Sequence, residues 1–181
     1  MHSLILSGGG IDSALCMHLA AENSITSRCL HVDYGQPSAE HEWGAVQRLA
    51  SKYRHSSFRI RFAGARRHTP GRYLGRNATL INLALLELLP IESQIWIGIH
   101  AGTNFYDCSG RFFELSSSLV AEESDGKVRL IAPLLELSKR EIVDHSRRIG
   151  LPINQTYSCQ MGQIPPCGKC LSCIDRGVLG C

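Results

Sequence analysis

The sequence lacks a long hydrophobic run. No apolar stretch in its 181 residues reaches the roughly 18 that a transmembrane helix needs, so we expect no association with a membrane. No basic segment precedes the first apolar residues, so the amino-terminal end does not read as a signal peptide. We therefore expect a cytoplasmic protein. In that reducing compartment, eight cysteines indicate metal binding or catalysis rather than a disulfide framework.

Acidic residues are absent between residues 43 and 86. The basic residues of that stretch are Arg48, Lys52, Arg54, Arg59, Arg61, Arg66, Arg67, Arg72 and Arg76. Over the whole chain, fifteen arginines stand against four lysines. Guanidinium groups bind phosphates and carboxylates through two parallel hydrogen bonds, so the stretch favours an anionic ligand nearby. A solvated basic surface explains it equally well.

The sequence shows no internal repeat and no low-complexity linker, and short apolar runs alternate with longer amphipathic ones. The pattern predicts five strands, at residues 3–6, 29–32, 58–62, 95–99 and 128–131. It predicts helices at residues 14–21, 38–53, 77–89, 111–120 and 138–149. Strands that alternate with helices indicate a Rossmann-like α/β fold, a doubly wound and mostly parallel five-stranded sheet.

The last part of the chain differs in composition. From Pro152 onward it is rich in Cys, Gly and Pro and lacks an evident helical periodicity. We expect residues 1–151 to form the α/β domain. Residues 152–181 would be a small appendage, held together by something other than a large apolar core.

A glycine-rich loop lies between the first predicted strand and the first predicted helix. It consists of Ser7, Gly8, Gly9, Gly10, Ile11, Asp12 and Ser13. Glycines allow backbone N–H groups to turn toward an anion, and a following helix amino terminus favours phosphate. No Gly-Lys-Ser/Thr follows, and the spacing is not that of the dinucleotide fingerprint. The alternative is a tight turn without a ligand.

Four cysteines of the tail have the spacing Cys-x7-Cys-x2-Cys-x2-Cys, at Cys159, Cys167, Cys170 and Cys173. Four thiolates so spaced suit a tetrahedral Zn²⁺ and leave it no open position, which favours a structural ion over a catalytic one. An iron–sulfur cluster is the main alternative, because three closely spaced cysteines and a fourth also suit one.

The glycine loop resembles the PP-loop of the N-type ATP pyrophosphatases, Ser-Gly-Gly-x-Asp-Ser. These enzymes cleave ATP between the α and β phosphates and adenylate a substrate oxygen. Aligned on Asp12 and Ser13, the leading serine of the pattern falls on Gly8, and Ser7 lies one residue too early. The resemblance implies a PP-loop ATPase fold, of the adenine nucleotide alpha-hydrolase type, in which this loop binds pyrophosphate.

The PP-loop and the four cysteines together resemble the 7-cyano-7-deazaguanine synthase family. Further matches in the family's order are Tyr34-Gly35-Gln36, Gly75-Arg76-Asn77, Tyr106-Asp107-Cys108, Pro133-Leu134 and Lys139. This family converts 7-carboxy-7-deazaguanine to the nitrile with ATP, Mg²⁺ and ammonia. The resemblance therefore implies ATP, Mg²⁺ and a structural Zn²⁺, a deazaguanine substrate with ammonia, and a homodimer.

The resemblance also implies roles for single residues. The ATP-binding candidates are the loop residues Ser7, Gly8, Gly9, Gly10, Ile11, Asp12 and Ser13, with His31, Arg76, Asn77 and Lys139. Asp12, Ser13 and Lys139 are the catalytic candidates. Asp12 would lie toward Mg²⁺, and Lys139 would neutralise charge that develops on the phosphates. A surface lysine and a hydrogen-bonded core histidine are the alternatives for Lys139 and His31.

The substrate candidates are Tyr34, Gln36, Arg76, Asp107 and Cys108. Asp107 would accept hydrogen bonds from the N–H groups of the guanine-type base. Cys108 would contact or pack beside the base without acting as a nucleophile. The chain between the third strand and Gly75 is short, whereas longer family members carry an insertion near the active site there. This indicates a trimmed site, one that lacks the part of its wall that the insertion would supply.

Three other functions remain open. The trimmed site could pass the activated deazaguanine to an amine of another molecule, including a protein acceptor, as in family-like proteins of antiviral operons. A tRNA-modifying PP-loop enzyme is the second, but 181 residues leave no room for an extra RNA-binding domain, so we expect no stable nucleic-acid binding. A zinc-stabilised binding module without activity is the third.

Overall fold

The computed structural model describes residues 1–62 and 73–181. Its centre is a five-stranded sheet, with β1 at His2–Leu6, β2 at Thr26–Asp33, β3 at Ser56–Arg61, β4 at Gln94–Ile97 and β5 at Arg129–Ile131. The strand order is β3-β2-β1-β4-β5, and every neighbouring pair is parallel. The winding reverses between β1 and β4, which opens a crevice at the carboxyl ends of these strands. The predicted doubly wound parallel sheet is confirmed.

Six helices surround or follow the sheet in the described residues. They are α1 at Ile11–Glu22, α2 at Ala39–Lys52, α3 at Arg76–Leu86, α4 at Gly110–Glu123, α5 at Lys139–Arg148 and α6 at Leu171–Leu179. Short 3₁₀ turns lie at Tyr106–Cys108 and Ile153–Gln155. None of the helices in the described part of the chain is long and apolar enough to cross a bilayer.

The core lies on both faces of the sheet. Ile5 of β1 packs with α1, α2 and α5, whereas its neighbours Leu4 and Leu6 pack with α3 and α4. Side chains of a strand alternate between the faces, so one short apolar run supplies both cores. Burial on both faces is the reason that these strands read as nearly continuous apolar runs.

Helix α1 begins earlier than its predicted start at residue 14. The amide of Ala14 donates to the carbonyl of Gly10 at 3.0 Å, so helical hydrogen bonding begins with the last glycine of the loop. Asp12 and Ser13 therefore lie in the first turn of α1, at the carboxyl edge of the sheet.

Helix α3 ends at Leu86, before its predicted end at residue 89. Hydrogen bonds from outside the helix replace the helical ones at this end. Arg28 donates to the carbonyl of Glu87 at 2.6 Å, and the carboxylate of Glu92 accepts from the amide of Leu89 at 2.8 Å. Arg28 of β2 and Glu92, which precedes β4, also form an ion pair at 2.7 Å, so both contacts hold the chain at the end of the helix.

Helix α5 begins with a capping box. The hydroxyl of Ser138 accepts from the amide of Glu141 at 3.3 Å, and the carboxylate of Glu141 accepts from the amide of Ser138 at 2.8 Å. Both backbone donors are satisfied at the start of the helix, so Lys139 stands at a defined first position.

The tail contains a helix that the sequence pattern did not predict. Helix α6 occupies Leu171–Leu179 and ends at Gly180, whose φ of +68° is the left-handed conformation common after helices. Leu171, Ile174 and Val178 recur at helical spacing, but all three are exposed rather than buried.

Candidate functional site

A cavity of about 580 Å³ lies at the carboxyl ends of the strands. Its wall includes the glycine loop, the first turn of α1, the ends of β2 and β4, and residues of α6. Ligand pockets generally enclose roughly 300–1,000 Å³, so the space suits a small-molecule ligand. Open α/β sheets bind their ligands at this position.

The glycine loop is tied to its surroundings through its backbone. Gly9 has a φ of +71°, and a Cβ there would lie 2.7 Å from the carbonyl oxygen of Glu42, so no other residue fits without a shift. The carbonyl of Gly9 accepts from the amide of Tyr157 at 2.8 Å, and the amide of Ser7 donates to the carbonyl of Leu30 at 2.8 Å. The loop therefore has a set shape before any ligand binds.

Most loop residues of the sequence prediction line the cavity. They are Ser7, Gly8, Gly10, Ile11, Asp12 and Ser13, whereas Gly9 lies behind the wall. The hydroxyl of Ser7 donates to the carbonyl of Ile5 at 3.1 Å, and that of Ser13 to the carbonyl of Gly10 at 3.1 Å. Among the described residues no side chain caps α1, so its first N–H groups offer an anion site.

Lys139 and Asp12 meet at the crevice. The Nζ atom of Lys139 lies 2.5 Å from Oδ1 of Asp12, and each of the two side chains is 27% exposed. Lys139 begins α5, after β5, whereas Asp12 follows β1, so the parallel sheet brings the two together. Gly98 follows β4, and a Cβ there would lie only 3.2 Å from the backbone of Asp12. Because glycine has no Cβ, the chain after β4 can pass close to α1.

His31 lies behind the glycine loop with a defined tautomer. Its Nδ1 is 3.1 Å from the carbonyl oxygen of Ser7, which can only accept, so Nδ1 carries the proton. The ring stacks on Trp43 with centroids 6.1 Å apart and is 1% exposed. His31 thus lines the cavity while it hydrogen-bonds the loop.

Gln36 and Tyr34 form the turn after β2. Gln36 accepts from the amide of Tyr34 at 2.9 Å and donates to the carbonyl of Val32 at 3.2 Å and to Glu42 at 2.9 Å. Burial, with a smaller effect of Glu42, raises the pKa of Tyr34 to about 12, so its phenol is neutral at physiological pH. Both side chains line the cavity.

Arg76 and Asn77 begin α3 and line the cavity with Cys108. Asn77 donates to the carbonyl of Asp107 at 2.8 Å and accepts from Arg76 at 3.2 Å. Burial raises the pKa of Cys108, so its thiol stays protonated, in line with a contact role. Asp107 is not among the described residues that line the cavity, and its role toward the base stays a prediction. Arg66, Arg67 and Arg72 lie outside the described residues.

Sequence reasoning missed several residues of the wall. His100, Thr103, Tyr157 and Asp175 line the cavity, but none belongs to a local pattern. His100 is 5% exposed, and its Nδ1 has no hydrogen-bond partner among the described residues. Burial lowers the pKa of His100, which favours a neutral imidazole. Only the position of His100 just after a predicted strand, at the sheet edge that binds ligands, could have indicated it.

The four predicted cysteine ligands come together in the tail. The Sγ atoms of Cys159, Cys167, Cys170 and Cys173 all lie within 4.8 Å of one another. A tetrahedron with bonds of about 2.3 Å has an edge of about 3.8 Å. The sulfurs of Cys167 and Cys173 are 3.9 Å apart, which fits that edge.

Backbone donors prepare two of these thiols for a metal. Burial raises the pKa of Cys159, but N–H groups, led by that of Cys167, outweigh it and lower the pKa to about 6. The amides of Lys169 and Cys170, each 3.4 Å from the sulfur of Cys167, lower the pKa of that thiol. Thiolates are the ligands that a zinc ion requires, so the donor set fits the predicted ion.

Solved structures place the fold among known ones. A predicted subunit of tRNA methyltransferase from Methanocaldococcus jannaschii superposes with a TM-score of 0.53 at 13% identity, over 82% of this chain and 76% of that one. The likeness at this identity concerns the fold alone.

Sequence relatives extend over nearly the whole chain. The 7-cyano-7-deazaguanine synthase of Gloeothece citriformis is 32% identical over 203 residues, covering 96% of this chain and 88% of its own. Those of Aquifex aeolicus and Rhizobium johnstonii are 29% and 27% identical, over 96% and 97% of this chain and 93% and 86% of their own. The alignments exceed the 181 residues of this chain, so these relatives carry residues that it lacks.

The family model described as queuosine biosynthesis protein QueC matches residues 2–70 and 65–178. The two matched segments overlap at residues 65–70. These residues lie in the stretch between the third strand and Gly75 that we expected to be shorter than in longer family members. These matches confirm the predicted resemblance, and the chain belongs to the QueC family, whose relatives here are 7-cyano-7-deazaguanine synthases.

Proposed function

We propose that the chain is an ATP-dependent, AMP-forming ligase. It adenylates the carboxylate of 7-carboxy-7-deazaguanine and transfers it to ammonia, giving the amide and then 7-cyano-7-deazaguanine. The observation that carries this function is the pairing of Lys139 with Asp12 beside the uncapped start of α1, in a cavity at the sheet edge. That arrangement gathers cationic and N–H groups where a leaving pyrophosphate needs them.

The reaction needs ATP for a simple reason. A carboxylate is a poor electrophile, because its leaving group would be an oxide. Adenylation replaces that oxide with AMP, and pyrophosphate departs into the glycine loop. The chain then has little covalent chemistry to perform, and its contribution is positioning and charge neutralisation.

In this proposal different residues of the cavity bind different parts of the substrates. The N–H groups of α1 and Lys139 hold the negative charge that grows on the departing pyrophosphate, while Asp12 orients Lys139. Asp12 is also the carboxylate that would hold Mg²⁺, which shields phosphate charge when bound. Arg76, across the cavity, supplies the guanidinium that receives an anionic carboxylate or phosphate.

The test is exchange of labelled pyrophosphate into ATP, dependent on 7-carboxy-7-deazaguanine. We expect Lys139→Met and Asp12→Asn to reduce the exchange rate by at least about a hundredfold, with most of the loss in turnover. Lys127→Met is the matched control, because Lys127 is an exposed lysine paired with Asp125 and is not among the cavity residues. Cleavage of ATP to ADP and phosphate would reject the proposal.

A second candidate function has one observation in its favour. Relatives carry residues that this chain lacks. In this second candidate function those residues are missing at the site, which would then admit an acceptor larger than ammonia. The activated carboxylate would then pass to an amine on another molecule. Formation of the nitrile needs a second adenylation, in which a neutral amide oxygen reacts inside a closed pocket. A site with a shorter wall would favour this second step less than the first.

One measurement separates these outcomes. The reaction is run first with excess ammonium and then with a larger primary amine. Mass spectrometry identifies the products, and the amount of each is compared with the amount of AMP released. We expect the amide or an amine adduct to form at least as readily as the nitrile. Two AMP per nitrile, without amide or adduct, would identify an ordinary nitrile-forming synthase.

The tail holds a structural zinc ion in this proposal, through Cys159, Cys167, Cys170 and Cys173. A zinc ion bound there would offset half of the negative charge of the four thiolates, and these cysteines would link Cys159 to the segment from Cys167 to Cys173. Four thiolates leave no position for substrate, so the ion takes no part in the adenylation.

A further inference from the structure

Recognition of the substrate base requires a hydrogen-bond acceptor that the wall of the cavity must supply. The edge of a guanine-type base presents neighbouring N–H donors, on the ring nitrogen and on the exocyclic amino group. A carboxylate accepts two such donors at once, and these charged hydrogen bonds are stronger than neutral ones.

The described residues of the wall include three side-chain carboxylates, those of Asp12, Glu42 and Asp175. Residues 63–72, which the structure does not describe, contain neither Asp nor Glu, so no further carboxylate comes from them. Asp107, the predicted reader of the base, is not among the described residues of the wall.

Two of the three carboxylates already have partners. Asp12 is paired with Lys139 at 2.5 Å. Glu42 accepts from the hydroxyl of Ser38 at 2.7 Å with one oxygen and from Gln36 at 2.9 Å with the other. Asp175 is exposed at the opening of the cavity and makes no hydrogen bond or ion pair with any described residue. Both of its oxygens can therefore accept from a ligand.

The backbone around Asp175 is held in place by other residues. Its neighbour Arg176 donates to the hydroxyl of Thr156 at 2.9 Å and to the carbonyl of Ile153 at 3.2 Å. At the end of the same helix, Arg147 donates to the carbonyl of Gly180 at 3.0 Å. The helix that carries Asp175 is therefore anchored at the cavity, while the carboxylate itself is uncommitted.

We propose that Asp175 recognises the base of the deazaguanine substrate by accepting its N–H donors. The inference rests on the proposed function, since that function supplies the guanine-type base. It assigns to α6 of the cysteine tail a part in substrate recognition, in the same cavity that the glycine loop lines. Asp175 is a specificity-determining residue and does not act on the phosphates.

The test compares Asp175→Asn with the unmodified chain in steady-state and pyrophosphate-exchange assays. We expect the KM for 7-carboxy-7-deazaguanine to rise about ten- to a hundredfold, the usual effect of losing a charged hydrogen-bond pair. The KM for ATP and the zinc content should change less than about twofold. Asp125→Asn, an exposed carboxylate between α4 and β5, is the matched control.

A substrate analogue without the exocyclic amino group isolates the contact. The unmodified chain should bind this analogue more weakly than the substrate, whereas Asp175→Asn should discriminate little between the two. A residue that only supports the fold would weaken both ligands equally, so equal weakening would overturn the proposal.

Other outcomes separate the inference from the function on which it rests. If the unmodified chain is active and Asp107→Asn, not Asp175→Asn, raises the KM for the substrate, the inference is wrong and the function stands. A raised Mg²⁺ requirement with an unchanged substrate KM would also overturn it. If the unmodified chain shows no exchange, calorimetric binding of the substrate to both chains still tests Asp175, because loss of binding in Asp175→Asn supports the contact without turnover.

Discussion

The sheet with its helices and the cysteine tail are ordered in different ways. Helix α1 buries seven of its twelve residues, including Leu15 and Met17, in a core shared with α2 and α5. Helix α6 buries none of its nine residues against the described part of the chain, and Ile174 and Val178 are exposed. Apolar burial holds the first region together, whereas the second lacks it.

The tail is attached to the sheet by a few contacts. Tyr157 and Cys159 form a small cluster with Ala45 of α2, and the amide of Tyr157 donates to Gly9 in the glycine loop. Because the tail also lines the cavity, a region with little apolar core carries part of the site. The site therefore depends on two regions, one ordered by apolar burial and one whose four clustered cysteines could hold a metal ion.

The largest expected effect is that of metal removal. Structural zinc contributes about 10–16 kcal/mol in small zinc domains, and the tail has little else to order it. We expect Cys170→Ser to reduce zinc content and to expose residues after 152 to proteolysis, while the far-UV circular dichroism of the sheet and its helices persists. Cys181→Ser is the control, because Cys181 lies outside the four-thiol group. Iron with acid-labile sulfide, or an unchanged proteolytic pattern, would contradict this.

The second effect is confined to the apolar region. Leu134 is fully buried in the core with α1 and α5, so Leu134→Ala should lower the free energy of unfolding by about 2–5 kcal/mol in chemical denaturation. Ile174→Ala, on the exposed face of α6, should change it by less than about 0.5 kcal/mol. Zinc content should stay constant in both variants. Equal losses would show that α6 is covered in solution.

Local patterns predicted much of the fold. The apolar runs located all five strands, and Ser138 with Glu141 located the start of α5 within one residue, because strand burial and helix capping leave short-range signals. The resemblance named Asp12 and Lys139 as candidates of one site, but it did not predict the ion pair between them.

Long-range contacts account for what the sequence did not predict. Helix α6 was missed although Leu171, Ile174 and Val178 have helical spacing, because cysteines and glycines dominate the composition of the tail. The end of α3 depends on Arg28 of β2, which no local pattern reveals. Asp175 reaches the cavity only because α6 folds back beside the glycine loop, so its place there depends on tertiary structure.

The third effect concerns the junction between the two regions. Arg176→Met would remove hydrogen bonds to the hydroxyls of Thr156 and Ser158 and to the carbonyl of Ile153. We expect a loss of about 1–3 kcal/mol in the docking of α6, seen as faster hydrogen exchange in that helix with zinc retained. Arg140→Met, an exposed arginine on α5, should leave exchange unchanged. If α6 stays protected in Arg176→Met, the metal alone orders the tail.

The smallest expected effect is that of removing the cap of α5, a helix that begins far from the four cysteines in sequence. Ser138 caps α5 and Lys139 is the first residue of that helix, whereas the N-cap position of α6 is Cys170, one of the four clustered cysteines. Ser138→Ala should lower the free energy of unfolding by about 1 kcal/mol, and Ser138→Thr, which keeps the hydroxyl, should restore most of it. Hydrogen bonds from the hydroxyl and amide of Ser138 lower the pKa of Glu141 below its usual 4.5.

The sign of the pH dependence follows from that shift. A lowered pKa means that the contribution of Glu141 is complete above its usual pKa and is lost as the pH falls through the lowered one. The difference in stability between the unmodified chain and Ser138→Ala should therefore be largest at neutral pH and should shrink in acid, where Glu141 is protonated in both. Chelation of the metal should leave this difference intact, because α5 belongs to the apolar region. A difference that grows in acid would contradict the role given to Glu141. A difference that disappears when the metal is chelated would show that the start of α5 depends on the tail and that the two regions are coupled.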